Sequence, residues 1–364
     1  MRTIPLPWTA VYGLARTLVA LATLGTVLFS STDSLFRPVS GIEESVSCGG
    51  VSGIGVFCLV PEDRLTAARL LCVAVLLVVA SGWRPRWTAL PHAWVTFSVW
   101  GNIAISDGGD QIATILALLL SLTALGDPRR FHWDRLPADR AETPVSRAVA
   151  LGCLSALVVV RVQMSLLYFQ ACVAKLPHAE WADGTVMWYW ATHPAFGAPG
   201  LLQPLVDPVI RNPLGVAALT WVPLAIELGL AVALLLPQRW RWRLLAAGVL
   251  FHFSIGLMMG LWSFSFAMWA GLVVLCCPLG AHLALRRSDT APEPAAPGGP
   301  TRPHGRSDGD DDGSGEGDAA GEGDGSREGG GDAESRRRPA AGPAEPAEQP
   351  AASPAVPAPA RAGD

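Results

Sequence analysis

Arg161, Tyr168 and Lys175 recur at intervals of seven inside one long apolar run that begins near Arg147. In an α-helix that spacing keeps side chains on one face, with a drift of only about 20° per repeat. The steps from Arg161 to Lys175 cover about 21 Å, most of a bilayer's hydrocarbon core. A guanidinium, a phenol and an ammonium on one stripe are costly against lipid, so they face a partner helix or a wet cavity. Lys175 is also the single lysine of the chain; the other 26 of its 27 basic residues are arginine. An amine can release its proton and serve as a base, whereas a guanidinium stays charged. On the residues alone two roles stay open for Lys175: a lysine snorkelling to the headgroups, or a functional amine.

Other ionisable residues fall in or beside apolar runs. Glu227 and His252 sit near the middle of two later ones. Arg161 is the expected ion-pair partner of Glu227, since each is otherwise an unpaired charge in a low-dielectric setting. His252 faces that pair or the bundle interior, where a membrane histidine usually bonds one helix to another. Asp107 and Asp110 flank two glycines in Asp107-Gly-Gly-Asp-Gln111. They are either a glycine turn with solvated carboxylates or the groups that set the charge of Lys175. Arg16, in the inner half of the first run, is expected to snorkel. Gly256 and Gly260 form a G-x-x-x-G spacing, a cue for close helix packing.

The elements that must position these groups are membrane helices. Half of the 364 residues are hydrophobic and 14 are tryptophan, and the apolar runs approach or exceed 18 residues, too apolar for a soluble domain of this length. The expected fold is an all-α polytopic bundle of about eight spans: 11–30, 65–81, 90–106, 111–126, 147–175, 214–236, 244–260 and 263–285. Residues 1–285 form the membrane domain. The net charge of −4 averages a mildly basic body and an acidic tail. Residues 286–364, rich in Gly, Ala, Pro, Asp, Glu and Arg, bury nothing and are expected to be a disordered cytoplasmic tail. Asp310–Asp312 lacks an EF-hand register, and Arg336–Arg338 reads as a solvated charge run.

Arginines concentrate in alternate loops: Arg84 and Arg86; Arg129, Arg130, Arg135, Arg140 and Arg147; Arg239, Arg241 and Arg243; Arg286 and Arg287. The positive-inside rule then puts both termini in the cytoplasm of a multi-pass cell-membrane protein, with no cleavable signal peptide. Cys48 and Cys58, in the first outer loop, are expected to form a disulfide in an oxidising compartment. The other five cysteines lie in or at the ends of spans and read as packing residues, and no Cys/His pattern supports a metal site. Lys175, Asp107 and Asp110 fall on the same outer side. So does 177–212, a proline-broken segment with the Trp188-Tyr-Trp190 cluster, expected to be re-entrant or interfacial.

The spacing Tyr168-Phe169-x5-Lys175-Leu176-x4-Trp181-x2-Gly184 resembles the central signature of the HTTM membrane domain, the group that includes vitamin K-dependent gamma-carboxylases. The continuation Trp181-Ala-Asp183-Gly184-Thr-Val-Met-Trp-Tyr-Trp190, with Pro194-x-Phe196-Gly197, is similar to the bacterial branch, the sporulation-delaying protein B family. Asp107, Asp110, Glu227 and His252 also resemble family landmarks, and the likeness covers most of residues 10–280. In the carboxylases a lysine pair occupies the motif and its second member is the base acting on a reduced quinone. Here the pair reads Ala174-Lys175, so only Lys175 inherits that role.

The resemblance implies a membrane factor for maturation or export of a secreted peptide toxin. It implies a peptide precursor and a companion maturation protein as partners and a lipid-soluble quinone as the cofactor to consider. The carboxylases' globular lumenal domain has no counterpart here, so glutamate carboxylation is not carried over. The alternative is a non-enzymatic transporter or immunity protein whose buried charges hold helices together. No P-loop, zincin or serine-nucleophile pattern is present, and nucleic acid is not an expected partner.

Overall fold

The computed structural model describes residues 5–38, 45–104, 106–136, 143–194 and 196–281. Its main helices are α1 (Ala10–Phe29), α2 (Leu65–Ser81), α3 (Pro85–Asn102), α4 (Gly108–Leu125), α5 (Pro144–Lys175), α6 (Pro213–Ala231), α7 (Gln238–Met259) and α8 (Trp262–Cys276). The chemistry of their starts is local. Thr9, Asp107, Thr143 and Asn212 each accept a hydrogen bond from a first-turn backbone N–H, and Pro144 and Pro213 occupy first positions where no donor is lost. At the far ends, Gly82 and Gly260 adopt φ of 83° and 74°, the left-handed conformation that stops α2 and α7.

Among the described residues, six helices are long and apolar enough to cross a membrane: those over Ala10–Phe29, Glu62–Ser81, Gly108–Leu125, Pro144–Lys175, Pro213–Ala231 and Gln238–Met259. The protein is a multi-pass membrane protein, and the expected count of eight spans is corrected to about six on length and apolarity. The α3 and α8 helices fall short of that measure yet still run from one end of the bundle to the other. At the two ends of α3, Arg84 N bonds the Arg130 carbonyl and Asn102 Nδ2 the Ser47 carbonyl; at the two ends of α8, Gly109 packs on Phe264 and Gly280 on Pro5. The α3 helix misses because Pro85, Arg86, Pro91, His92 and Asn102 dilute its hydropathy. The α8 helix misses because its 15 residues rise only about 22 Å. In sequence, an apolar run facing protein looks the same as one facing lipid. Here α8 is the interior case: it packs against α1, α4, α5 and α7, and its residues from Ala270 to Cys276 are all buried. A helix apolar on every side belongs inside.

The central core joins Val19 of α1, Leu116 and Leu120 of α4, Val160 and Met164 of α5, and Met268, Leu272 and Leu275 of α8. Close approach at its rim depends on Gly109, where an added Cβ would sit 2.5 Å from the Phe264 Cα. The outer helices α2, α6 and α7 expose large apolar side chains, among them Leu71, Leu77, Val222, Leu228, Leu250 and Phe253. That is the surface expected against lipid.

Asn102 Nδ2 at the end of α3 bonds the Ser47 and Ser52 carbonyls, 2.9 Å each, fastening the loop between α1 and α2. That loop carries the Cys48–Cys58 disulfide, with Cα atoms 5.7 Å apart, as the spacing predicts. The remaining cysteines are free and buried. At the other end of the bundle Trp8 Nε1 bonds the Thr123 carbonyl, and Thr123 Oγ1 bonds the Cys153 carbonyl. The N-termini of α1 and α5 therefore lie together, and the disulfide loop shares an end with Lys175. The expectations for residues 286–364 fall outside the described residues.

Candidate functional site

The three stripe residues of α5 meet three different helices. Arg161, buried, donates from Nε to the Val274 carbonyl at 2.8 Å and from Nη2 to the Cys277 carbonyl. Tyr168, 1% exposed, meets His252 of α7 through its hydroxyl and the Nε2 atom, 3.0 Å apart. Lys175 Nζ forms an ion pair with Glu227 Oε1 of α6.

The expected Arg161–Glu227 pair is therefore absent, and the reason is one of register. Ser165 Oγ bonds the Ala231 carbonyl and Cys172 Sγ lies 3.7 Å from the Leu224 carbonyl, so α5 and α6 run antiparallel. On that register Glu227 is level with about residue 169, roughly 9 Å below Lys175 and above Arg161. Helical side chains lean toward their own N-terminus. Lys175 consequently turns back into the bundle while Glu227 rises to meet it. Arg161 leans the same way as Lys175, which takes it away from Glu227 and toward the orphan carbonyls that end α8. Lys175 does not snorkel outward as its helix-end position allowed.

The Lys175 side chain keeps 25% of its surface exposed, against 6% for Glu227. Its amine also lies 5.2 Å from the Trp181 ring centre, a cation–π distance. The amine is thus held between a buried carboxylate and an indole while remaining within reach of solvent. Glu227 Oε2 and His252 Nδ1 are buried with no hydrogen-bond partner among the described residues. Ser265 Oγ of α8 bonds the His252 carbonyl at 2.7 Å, fixing the turn of α7 that carries the ring. Gly256 packs close, since a Cβ there would sit 2.8 Å from Ser265 Oγ; Gly260 instead terminates the helix.

The segment after Lys175 holds short helices, Ala179–Ala182, Val186–Ala191 and Gln203–Ile210, in keeping with its prolines. Asp183 accepts from Thr185 N at 3.2 Å and Thr185 Oγ1 at 2.7 Å, shaping the turn in which Gly184 adopts φ 82°. Gly184 packs on Trp221, where a Cβ would meet the ring at 3.0 Å. The Trp221 Nε1 atom in turn bonds the Trp181 carbonyl at 3.1 Å. Trp181, Asp183 and Gly184 therefore set the indole over the amine.

Asp107 and Asp110 do something else. Asp107 accepts from Asp110 N at 2.9 Å, and Asp110 accepts from Asp107 N at 3.3 Å and from Thr26 Oγ1 of α1 at 2.9 Å. They cap α4 and tie it to α1, and the carboxylate beside Lys175 is Glu227. Sequence reasoning passed over Ser265, which no motif marks.

A buried cluster at the opposite end was also missed. There Arg16 is wholly buried, bonds Thr88 at 2.8 Å and does not snorkel.

The HTTM domain family matches residues 133–279, which include Arg161, Tyr168, Lys175, Glu227 and His252. YitO of Bacillus subtilis (strain 168) is 37% identical over 275 residues, spanning 74% of this chain and 85% of that protein. Sporulation-delaying protein SdpB of the same organism is 31% identical over 281 residues, spanning 77% of this chain and 84% of its own length. No solved structure matches significantly. Carrying this motif over most of its membrane bundle, the chain belongs to the HTTM-domain membrane proteins of the SdpB type.

Proposed function

We propose that this chain acts in the maturation or export of a secreted peptide, with Lys175 as a general base facing the outside of the cell membrane. The observation that carries the reading is the Lys175–Glu227 pair, whose amine stays partly accessible while its carboxylate is buried. The ammonium first gives its proton to solvent through its exposed face; the free amine then takes a substrate proton, and the Glu227 carboxylate stabilises the ammonium that re-forms. Tyr168, His252 and Ser265 hold the wall behind it. Both termini are cytoplasmic in this reading. It draws support from the arginine-rich loops and from the disulfide at the Lys175 end, since disulfides persist in oxidising compartments.

A reduced lipid quinone fits the groups present: a ring hydroxyl can donate to the unpartnered Glu227 Oε2, and a ring oxygen can accept from Lys175 Nζ. Bound there, it would supply reducing equivalents; the role of this chain's own residues is to take and hold the proton. A second reading, a non-enzymatic transporter or immunity protein, draws on Arg161, whose buried cation only ties α5 to the end of α8.

Deleting the chain should abolish the mature peptide produced from a small secreted precursor encoded beside it, and a wild-type copy should restore it. Undiminished mature peptide without the chain contradicts the reading. Reporter fusions after residues 45, 135, 195 and 300 should report outside, inside, outside and inside; a cytoplasmic signal at 195 overturns the placement of Lys175.

A further inference from the structure

Arg16 is 0% exposed, and so are His92 and His132, while Tyr12 is 1% exposed. Tyr12 and Arg16 are four apart on α1 and share a face, as do Thr88 and His92 on α3. The 2.8 Å bond from Arg16 Nη2 to Thr88 Oγ1 joins those faces into one seam. His132, from the loop after α4, closes it: its Nε2 meets Thr17 Oγ1 at 3.1 Å. The Thr17 hydroxyl hydrogen already goes to the Ala80 carbonyl at 2.9 Å, so Nε2 is the donor and Nδ1 the acceptor.

Within this seam the Tyr12 hydroxyl, Arg16 Nε and Nη1, both ring nitrogens of His92 and His132 Nδ1 are buried without a protein partner among the described residues. The nearby acid is already committed. Asp127 receives Arg129 Nε at 2.9 Å and Nη2 at 2.7 Å, within an ion pair. Arg16 therefore has no carboxylate partner among the described residues, and a guanidinium does not discharge itself by losing a proton. A buried charge left uncompensated is the costliest arrangement a protein interior offers.

We infer that the α1–α3 seam is an anion site, in which Arg16, Tyr12 and His92 hold a monovalent anion of chloride size. The free donors on Arg16, the phenol and one N–H of His92 belong to the same seam as a cation that lacks its counter-charge. The Nδ1 acceptor of His132 takes a hydrogen from a water in the anion's shell. Burial keeps His132 uncharged, its pKa lowered to about 3 by desolvation and then by Arg16 and Arg129.

The test uses the purified full chain in detergent, with chloride replacing gluconate at constant ionic strength while thermal unfolding is followed. The wild-type midpoint should rise and then saturate with chloride and with bromide, as a ligand of the folded state requires. Arg16→Gln should abolish the rise, and Tyr12→Phe or His92→Gln should raise the half-saturating chloride concentration several-fold. A flat wild-type response means that water alone satisfies these groups and overturns the inference. An equal rise in Arg16→Gln does the same. Should Arg16→Gln fail to accumulate, an unchanged half-saturating concentration in both other variants overturns it.

Discussion

At one end of the bundle Lys175 meets Glu227 and Trp181 with part of its surface open; at the other, Arg16 meets Thr88 and no carboxylate among the described residues, with none of its surface open. Both are cations on membrane helices, yet only one is equipped for proton chemistry. A lysine open to solvent can give up its proton and take one back. A sealed arginine can do neither, so its end of the molecule can only bind or brace. Arg161 shows the bracing use, donating to the last carbonyls of α8. Charge type, pairing and access together separate chemistry from architecture here; charge alone does not.

The comparison breaks most visibly if Arg161 and Glu227 are in fact partners. Exchanging them, Arg161→Glu with Glu227→Arg, should set a carboxylate against the α8 carbonyls and a guanidinium against Lys175. Each change should cost about 3–5 kcal/mol, the order seen when a buried charge loses its partner, with no recovery in the double variant. Membrane abundance and the thermal midpoint measure this, and a double variant better than either single one would restore the pairing that register rules out.

A smaller, asymmetric effect sharpens the Lys175 end. Lys175→Met strands the buried Glu227 carboxylate and should cost about 3 kcal/mol. Glu227→Leu strands an amine that can turn to water, so its cost should be nearer about 1–2 kcal/mol. The double variant should be no worse than Lys175→Met alone. Equal losses in the two single variants would mean that both charges are equally buried.

Much of this was legible in the sequence, and most of what was missed depends on how separate segments meet. Heptad spacing put Arg161, Tyr168 and Lys175 on one face, and the cysteine spacing gave the Cys48–Cys58 bridge, because both are properties of a single segment. Pairing Arg161 with Glu227 used depth within each span but ignored the lean of helical side chains, which carries Lys175 down and Arg161 away. The interior position of α8 depends on four neighbours and leaves no mark on an apolar run. Arg16, His92 and His132 come from three separate segments, so no local pattern announces their meeting. Asp107 and Asp110 illustrate the converse: an Asp-x-x-Asp at a helix start is a cap by local chemistry, and that local reading should have been preferred.

Lys175→Arg tests the central claim most directly. It keeps the charge, the reach to Glu227 and a cation over Trp181, and so should leave membrane abundance near the wild-type level. Arginine cannot act as a base near neutral pH. The account therefore predicts normal membrane levels of the variant together with loss of mature secreted peptide. Full peptide maturation at normal abundance would contradict it and leave Lys175 a structural partner of Glu227.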